Sequence, residues 1–318
     1  MTTHTAVGVD IGGTKIALAL VDEAGQVLAA HQMPTAPQDG ETAVLDRIAS
    51  GVRNLVAKAS VTVEGVGIGC PGVVDPLAGT VRKAVNLGWE QVPLRAEIAW
   101  RLDDEMPVYV ENDVKAAALG EQTFGAAREH KDFVYLAVGT GLGGAVMARG
   151  GLVNGAACVA TEVGHLSLDP DGRLCSCGRR GCVEMYVGGI GLLASWRLHR
   201  DRFTDSALAQ LSEPTPAAIL SAAQAGDPLA LTVLDVGGWA LGWVLGMCVG
   251  ILNPPLVVIG GGLGRAAWDW LIPPALDEMR RRVLPLAADA TQIVPSAIAV
   301  SAVGAASLVW HHSGLAGG

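Results

Sequence analysis

Twice along the chain a short apolar run ends in a glycine-and-threonine turn and passes directly into a second apolar run. The first copy is residues 7–10, then Gly12-Gly13-Thr14-Lys15, then residues 16–21, closed by Asp22-Glu23-Ala24-Gly25. The second copy is residues 134–138, then Gly139-Thr140-Gly141-Leu142-Gly143-Gly144, then residues 145–148, closed by Arg149-Gly150-Gly151. Apolar runs of this length between turn residues read as strands. One strand–turn–strand unit per half predicts an α/β chain of two similar lobes with a ligand cleft between them.

The segments between fit that plan. Residues 42–59 carry Val44, Leu45, Ile48, Val52, Leu55 and Val56 at helical spacing. Residues 63–68 read as a strand ending in Gly69-Cys70-Pro71-Gly72. Residues 108–110 read as a strand ending in Glu111-Asn112-Asp113, and the Ala-rich residues 114–121 as a helix. Asp227-Pro228 is a helix start, because Asp caps free amides and Pro suits the first helical position. Residues 256–259 read as a strand leading into Gly260-Gly261-Gly262, with a helix from Ala266.

Residues 236–264 hold no charged side chain. A bilayer span needs about 20 apolar residues, and Asn253-Pro254-Pro255 leaves neither half that long. A buried helix, a turn and a buried strand are expected instead, with no membrane partner. Residues 1–5 show neither a basic stretch nor an apolar stretch of the signal-peptide kind, so a cytoplasmic protein is expected. A net charge of −9 gives no fold-wide basic face, which argues against a nucleic-acid partner. A hydrophobic content of 50% excludes a disordered chain.

The second glycine turn matches G-x-G-x-x-G literally, but a dinucleotide site needs a helix after the turn and here a strand follows. Gly262-Leu263-Gly264-Arg265-Ala266-Ala267 fits only a looser form, far down the chain. A dehydrogenase is therefore set aside. A tight turn between strands still brings glycine amides close to phosphate oxygens, and a threonine hydroxyl adds a donor. Asp10 beside the first turn could hold Mg²⁺, and Lys15 supplies a cation. Taken singly, each turn is also compatible with an ordinary hairpin.

Cysteines fall at 70, 158, 175, 177, 182 and 248. Cys175, Cys177 and Cys182, with His165 upstream, make a closed four-ligand set suited to structural zinc rather than catalytic zinc. Disulfides are the alternative, and nothing points to an oxidising compartment. Cys70, Cys158 and Cys248 read as small buried residues. Asp113 ends a strand and starts a helix, which could hold its carboxylate in a cleft. Glu162 and Glu184 flank the cysteine cluster and would suit a polyhydroxylated ligand. The same three acids would also serve as a helix cap and two solvated carboxylates.

The motifs Asp10-Ile11-Gly12-Gly13-Thr14-Lys15, Glu111-Asn112-Asp113, Gly139-Thr140-Gly141, Glu162-Val163-Gly164-His165 and Cys-x-Cys-Gly-x-x-Gly-Cys-x-Glu occur in one order. In that order they resemble the ROK family of sugar kinases and sugar-responsive repressors. The resemblance runs from about residue 6 to the C-terminus. It implies the two-lobe, actin-like (ribonuclease H-like) sugar-kinase fold. The expected lobes are residues 1–113 and 114–300, with a helix at about 301–318 packing back on the first. It implies Asp113 as general base, and Gly72, Asn112, Asp113, Glu162, His165 and Glu184 as substrate-binding residues. Asp10, Gly12, Gly13, Thr14, Lys15, Thr140, Gly141, Gly260, Gly261 and Gly262 would bind ATP with Mg²⁺. His165, Cys175, Cys177 and Cys182 would hold zinc. A homodimer or homotetramer is implied.

A repressor would carry a DNA-binding segment ahead of residue 6, and a kinase is expected here. Asn86-Leu87-Gly88-Trp89, after Pro71-Gly72-Val73-Val74-Asp75, looks most like the bacterial glucokinases, which implies transfer to the 6-OH of glucose. Two segments depart from the glucokinase pattern. Ala157-Cys158-Val159-Ala160-Thr161-Glu162 replaces a glycine-rich lead-in, and Tyr186-Val187-Gly188-Gly189 replaces Tyr-Ala-Ser-Gly. A modified sugar or cyclitol of the kanosamine or valiolone type is the alternative acceptor. A non-catalytic sugar sensor is a further one.

Overall fold

The computed structural model describes residues 4–59 and 62–313. The expected helical residues 314–318 lie outside the described residues. The chain forms two compact units. The first takes residues 1–131, 147–160 and 297–318, and the second takes 132–146 and 161–296. The division therefore differs from the expected one at residue 113: residues 114–131, 147–160 and 297–300 go with the first unit.

The first unit is built on a five-stranded sheet. Its strands are β1 (Thr5–Ile11), β2 (Lys15–Asp22), β3 (Val27–Pro34), β4 (Val63–Cys70) and, after a small three-stranded sheet, β8 (Val108–Asn112), in the order β3-β2-β1-β4-β8. The small sheet is β5 (Val73–Asp75), β6 (Thr80–Ala84) and β7 (Trp89–Val92). β1, β4 and β8 are parallel, with Asp10 opposite Gly69, Gly69 opposite Glu111 and Cys70 opposite Asn112. Three parallel strands thus end side by side, the position where open α/β sheets bind ligands.

Side-chain alternation gives the sheet two different faces. Val7, Val9 and Ile11 join the buried cluster of helix α1 (Glu41–Val56), whose Val44, Leu45, Ile48, Val52 and Leu55 form the apolar stripe expected from the sequence. Ala6, Ala19 and Val21 instead join Ala302, Ala306 and Val309 of the C-terminal helix Ser301–Ser313. That helix lies directly on the sheet, because β1 and β4 offer glycine there. A Cβ at Gly8 would overlap the carbonyl oxygen of Ala302, and one at Gly67 that of Ala305. After helix α2 (Leu94–Arg101), helix α3 (Asp113–Phe124) meets the C-terminal helix through Gly120 against Gly304. This close contact is why residues 114–124 belong to the first unit.

Valine is a better strand former than glycine, yet Gly67→Val is expected to destabilise the fold. The overpacked backbone contact should cost about 3 kcal/mol or more. Urea unfolding of the variant measures this, and an unchanged midpoint would refute the backbone contact.

The second unit contains β9 (Phe133–Val138), β10 (Leu142–Ala148) up to Val146, β12 (Leu256–Gly260) and β13 (Gln292–Pro295), while the end of β10 and β11 (Gly151–Leu152) count with the first unit. The sheet order is β11-β10-β9-β12-β13. Its core helix is Pro228–Leu252, capped as expected: Asp227 accepts from the amides of Leu229 (2.9 Å) and Ala230 (3.0 Å). This helix is long and apolar enough to cross a membrane, but 67% of its apolar window is buried in the protein. Leu234, Leu241 and Leu245 share a core with Leu271, Ile272 and Met279 of the helix Trp268–Arg282. After β12 the chain turns helical at Gly262 rather than at Ala266. The glycine at 261 (φ +80°), pressed on the Val138 backbone, makes that sharper entry possible.

Candidate functional site

In the first unit the ends of the parallel strands gather two carboxylates. A Cβ at Gly69 would sit 3.3 Å from the Asp113 Cα and 3.8 Å from Asp10 Oδ1, so glycine at 69 leaves the space between them open. Burial pushes the Asp10 carboxyl above its ordinary value, against a hydrogen bond from Ser301 and the charge of Lys15. Burial also pushes the Cys70 thiol well up, and the charges of Asp113 and Asp10 act in the same direction.

Asn112, not Asp113, is the cap of α3. Its Oδ1 accepts from the amides of Val114 (3.0 Å) and Lys115 (3.2 Å). Its Nδ2 donates to Asp113 Oδ1 at 2.9 Å and to the Gly72 carbonyl at 3.1 Å. Gly72 (φ +90°) comes so close to the Lys83 carbonyl that a Cβ would overlap it. Asp113 is the first helical residue, and its Oδ1 accepts from the Val114 amide at 3.0 Å. A carboxylate there faces the positive end of the helix.

The Gly12–Lys15 turn is held from behind. The Gly12 amide donates to the Lys15 carbonyl at 2.9 Å, the Thr35 hydroxyl donates to the Gly12 carbonyl at 2.6 Å, and the Thr35 amide to the Thr14 carbonyl at 3.0 Å. Arg47 in turn donates to the Thr35 carbonyl and to Asp39. Thr14 and Lys15 are left exposed at the tip. Thr35 is fully buried. It lies some twenty residues beyond the turn, and no local pattern marks it in the sequence.

In the second unit the cysteine segment is folded into a compact knot. Two isolated bridges, Ser167 with Cys182 and Leu174 with Arg180, cross it. Gly178 (φ +86°) and Gly181 (φ +73°) supply the left-handed turns. The donor atoms of His165, Cys175, Cys177 and Cys182 all lie within 4.8 Å of one another. Cys177 Sγ is 3.6 Å from Cys182 Sγ, and Cys175 Sγ is 3.8 Å from His165 Nδ1. The edges of a tetrahedral zinc site with thiolate and imidazole ligands are about 3.6–3.8 Å. The donor set and its spacing are thus compatible with structural zinc. The set is made of three thiols, those of Cys175, Cys177 and Cys182, and the His165 imidazole.

Glu184 stands against the knot, its Oε1 3.1 Å from Cys175 Sγ and 3.5 Å from His165 Nδ1. Burial pushes the Cys175 thiol up to about 12, so in this arrangement the thiol donates to Glu184. Glu184 is half-buried, not a solvated acid. Arg173, which the sequence did not single out, pins the knot. Its guanidinium lies 4.3 Å over the Tyr186 ring and donates to the carbonyls of Met185 (2.7 Å) and Gly191 (3.1 Å). The Gly139-Thr140-Gly141 turn rests on the start of the helix Gly189–His199, whose Gly189 and Ile190 amides donate to the carbonyls of Gly139 and Thr140. A Cβ at Gly141 would lie 2.6 Å from Glu184 Oε2, so this turn and the knot are neighbours. Gly260 and Gly261 pack on Tyr135 and Val138, while a Cβ at Gly262 would meet nothing within 4 Å.

Glu162 is exposed and sits at the centre of an inverse γ-turn, with φ −71° and ψ 56° and the Val163 amide donating to the Thr161 carbonyl at 2.7 Å. Its carbonyl accepts from the His165 amide at 3.1 Å. Thr161 has φ +74°, a left-handed conformation that a β-branched residue seldom adopts, and its hydroxyl donates to the Gly144 carbonyl at 2.9 Å. Such a residue stores about 1–3 kcal/mol of strain. Cys158 also departs from expectation: it is half-buried, with φ +60°, rather than a buried packing residue.

The ROK family model matches residues 6–311 of the chain. The chain belongs to the ROK family. Its sequence is 39% identical over 283 residues to the glucokinase of Streptomyces coelicolor, covering 86% of this chain and 87% of that one. Among solved structures, the ROK family glucokinase from Streptomyces griseus in complex with glucose and AMPPNP is 31% identical. It superposes with a TM-score of 0.82 over 96% of this chain and 98% of that one. A ROK family transcriptional regulator, a homologue of the E. coli MLC protein, gives a TM-score of 0.87 at 26% identity, over 97% of this chain and 78% of that one. The mixed α/β architecture is therefore that of the ROK sugar kinases, as the sequence resemblance implied.

Proposed function

We propose that this ROK family member is an ATP-dependent hexose kinase that transfers the γ-phosphoryl group to the 6-OH of glucose. The observation that carries the reading is the pairing of Asp10 and Asp113 around Gly69, at the ends of three parallel strands and on the same unit as the exposed Thr14–Lys15 tip. The likeness to glucokinases, one of them holding glucose and AMPPNP, supports the substrate class.

In this reading Asp113 accepts the proton of the attacking hydroxyl, while Asn112 holds its carboxylate in place and Gly72 anchors Asn112. Glu162, His165 and Glu184 accept and donate hydrogen bonds at the sugar hydroxyls. Gly12, Gly13, Thr14 and Lys15, with Thr140 and Gly141, receive the phosphates, and Gly260–Gly262 the adenosine. Phosphoryl transfer asks the protein mainly to position groups and neutralise charge. Asp10, a carboxylate buried against its own desolvation cost, fits a Mg²⁺ site and would hold the ion directly or through water. The ion would offset phosphate charge. His165, Cys175, Cys177 and Cys182 would hold a structural zinc, which supplies local folding energy. The same reading keeps the protein cytoplasmic, a homodimer or homotetramer, without nucleic-acid or membrane partners.

Thr161 favours a second acceptor class. Its added methyl and hydroxyl, in a left-handed conformation next to Glu162, reshape the lead-in to a proposed sugar contact. This suits an amino sugar or cyclitol of the kanosamine or valiolone type. A coupled ADP-release assay with Mg-ATP and glucose, mannose, glucosamine, N-acetylmannosamine, kanosamine and a valiolone tests both. Glucose should give the highest kcat/KM. Preference for an amino sugar or cyclitol moves the acceptor to the second class. Absence of turnover with every acceptor, in zinc-replete protein, refutes the kinase and leaves a sugar sensor.

A further inference from the structure

A lysine is seldom buried unless it is paired, and Lys115 is 3% exposed. It follows Asp113 by two positions on α3. Its ammonium donates to Asn154 Oδ1 at 2.8 Å and to the Cys158 carbonyl at 3.3 Å. Glu111, 4% exposed, completes the group. Burial pushes its carboxyl above the ordinary value, and the Asn112 amide at 2.8 Å, the charge of Lys115 and the Asn154 side chain act against that rise. An ammonium and a carboxylate therefore share one asparagine in the interior of the first unit.

What this group holds is the loop after β11. Asn154 is the root of the loop, since its carbonyl accepts from the Ala160 amide at 3.1 Å. Residues 155–157 and 159 are exposed, so no apolar packing fixes the loop. Gly155 (φ +70°) and Cys158 (φ +60°) are both left-handed, and Thr161 (φ +74°) follows. Two non-glycine residues in that region within four positions persist only where surrounding bonds over-determine them. For Cys158 the bond is the one from Lys115 to its carbonyl. For Thr161 it is the hydroxyl bond to Gly144. Glu162 comes next in the chain.

We propose that Lys115 is a positioning residue for acceptor recognition: through Asn154 and the Cys158 carbonyl it fixes the strained lead-in that presents Glu162. The proposal rests on the hexose-kinase reading above. An uncharged side chain at 115 would release Asn154 and Cys158 together and strand the Glu111 charge. The strap would loosen while Asp113, held by Asn112 and the helix start, stays in place.

The test uses Lys115→Met, with Asn154→Ala as the second variant should the stranded Glu111 impair folding of the first. Hydrogen–deuterium exchange should speed up across residues 156–162 and stay unchanged over residues 7–21 and in the cysteine knot. Steady-state kinetics should give an acceptor KM raised roughly tenfold or more, as expected for loss of a charged hydrogen bond, with kcat and the KM for ATP within about threefold of wild type. Unchanged exchange over 156–162 in both variants overturns the strap. A fall in kcat at constant acceptor KM, or an equal rise in both KM values, overturns the acceptor role. A wild-type protein without turnover or acceptor binding defeats the kinase reading and the acceptor role with it, whereas the exchange data judge the strap separately.

Discussion

Asp113→Asn should fold like the wild type and lose about 10²–10⁴-fold in kcat, the usual contribution of a positioned general base. The amide oxygen of asparagine can still accept from the Val114 amide and from Asn112 Nδ2, the two bonds that Asp113 Oδ1 makes at 3.0 and 2.9 Å. The cap of α3 is untouched, because Asn112 carries it. What disappears is the capacity to take a proton from an attacking hydroxyl. The loss should therefore fall on kcat, with the KM values for sugar and ATP nearly constant. Thermal melting checks the fold and single-turnover phosphorylation checks the chemical step. A variant that keeps wild-type kcat would remove Asp113 from the chemistry. A variant that melts early would assign it a structural role instead. Asn112→Ala is the informative companion: it removes the cap, at about 1 kcal/mol of stability, and leaves the base without its hydrogen-bonded neighbour.

The repeated strand–turn–strand unit, the helix at Glu41–Val56 and the Asp227-Pro228 start were legible because each depends on local patterning. The cysteine set was legible because spacing and residue type alone define a metal donor set. Three features were not. The C-terminal helix lies on the sheet only because Gly8 and Gly67 lack side chains, and nothing local in either strand announces which helix will fill that space. The Gly12–Lys15 turn depends on Thr35 and Arg47, which reach it from beyond β2 and β3. Lys115 sits in an Ala-rich helix, and nothing in the local pattern marks it as buried. Only the fold shows that Asn154 and Cys158 come back to meet it. Local periodicity and residue chemistry are written in neighbouring residues, whereas these bonds close between segments distant in the chain.

The second large effect is expected at the cysteine knot. Residues 166–183 hold two isolated bridges and a set of turns between the helical turn Val163–His165 and the helix Glu184–Val187. Leu174 is 61% exposed and Cys177 is exposed, and the buried residues at the centre of the segment are mainly the ligand thiols Cys175 and Cys182, so apolar burial alone holds it weakly. A segment so poor in core needs a staple, and a structural zinc in such a set supplies on the order of 10–16 kcal/mol of apparent binding free energy at pH 7. Metal analysis of the purified protein should give one zinc per chain. Removal by a chelator, or Cys182→Ala, should lower the melting temperature and abolish acceptor binding, because His165 and Glu184 face each other across Cys175 at 3.5 Å and would lose their common support. The helix Glu184–Val187 begins at the knot, so its disorder would also free the Gly141 turn that abuts Glu184. Nucleotide affinity should therefore weaken as well, by less than acceptor affinity. Calorimetry with glucose and with AMPPNP separates the two. Full acceptor binding in demonstrably zinc-free protein would show that the hydrogen bonds of Arg173 and the two bridges suffice to hold the knot.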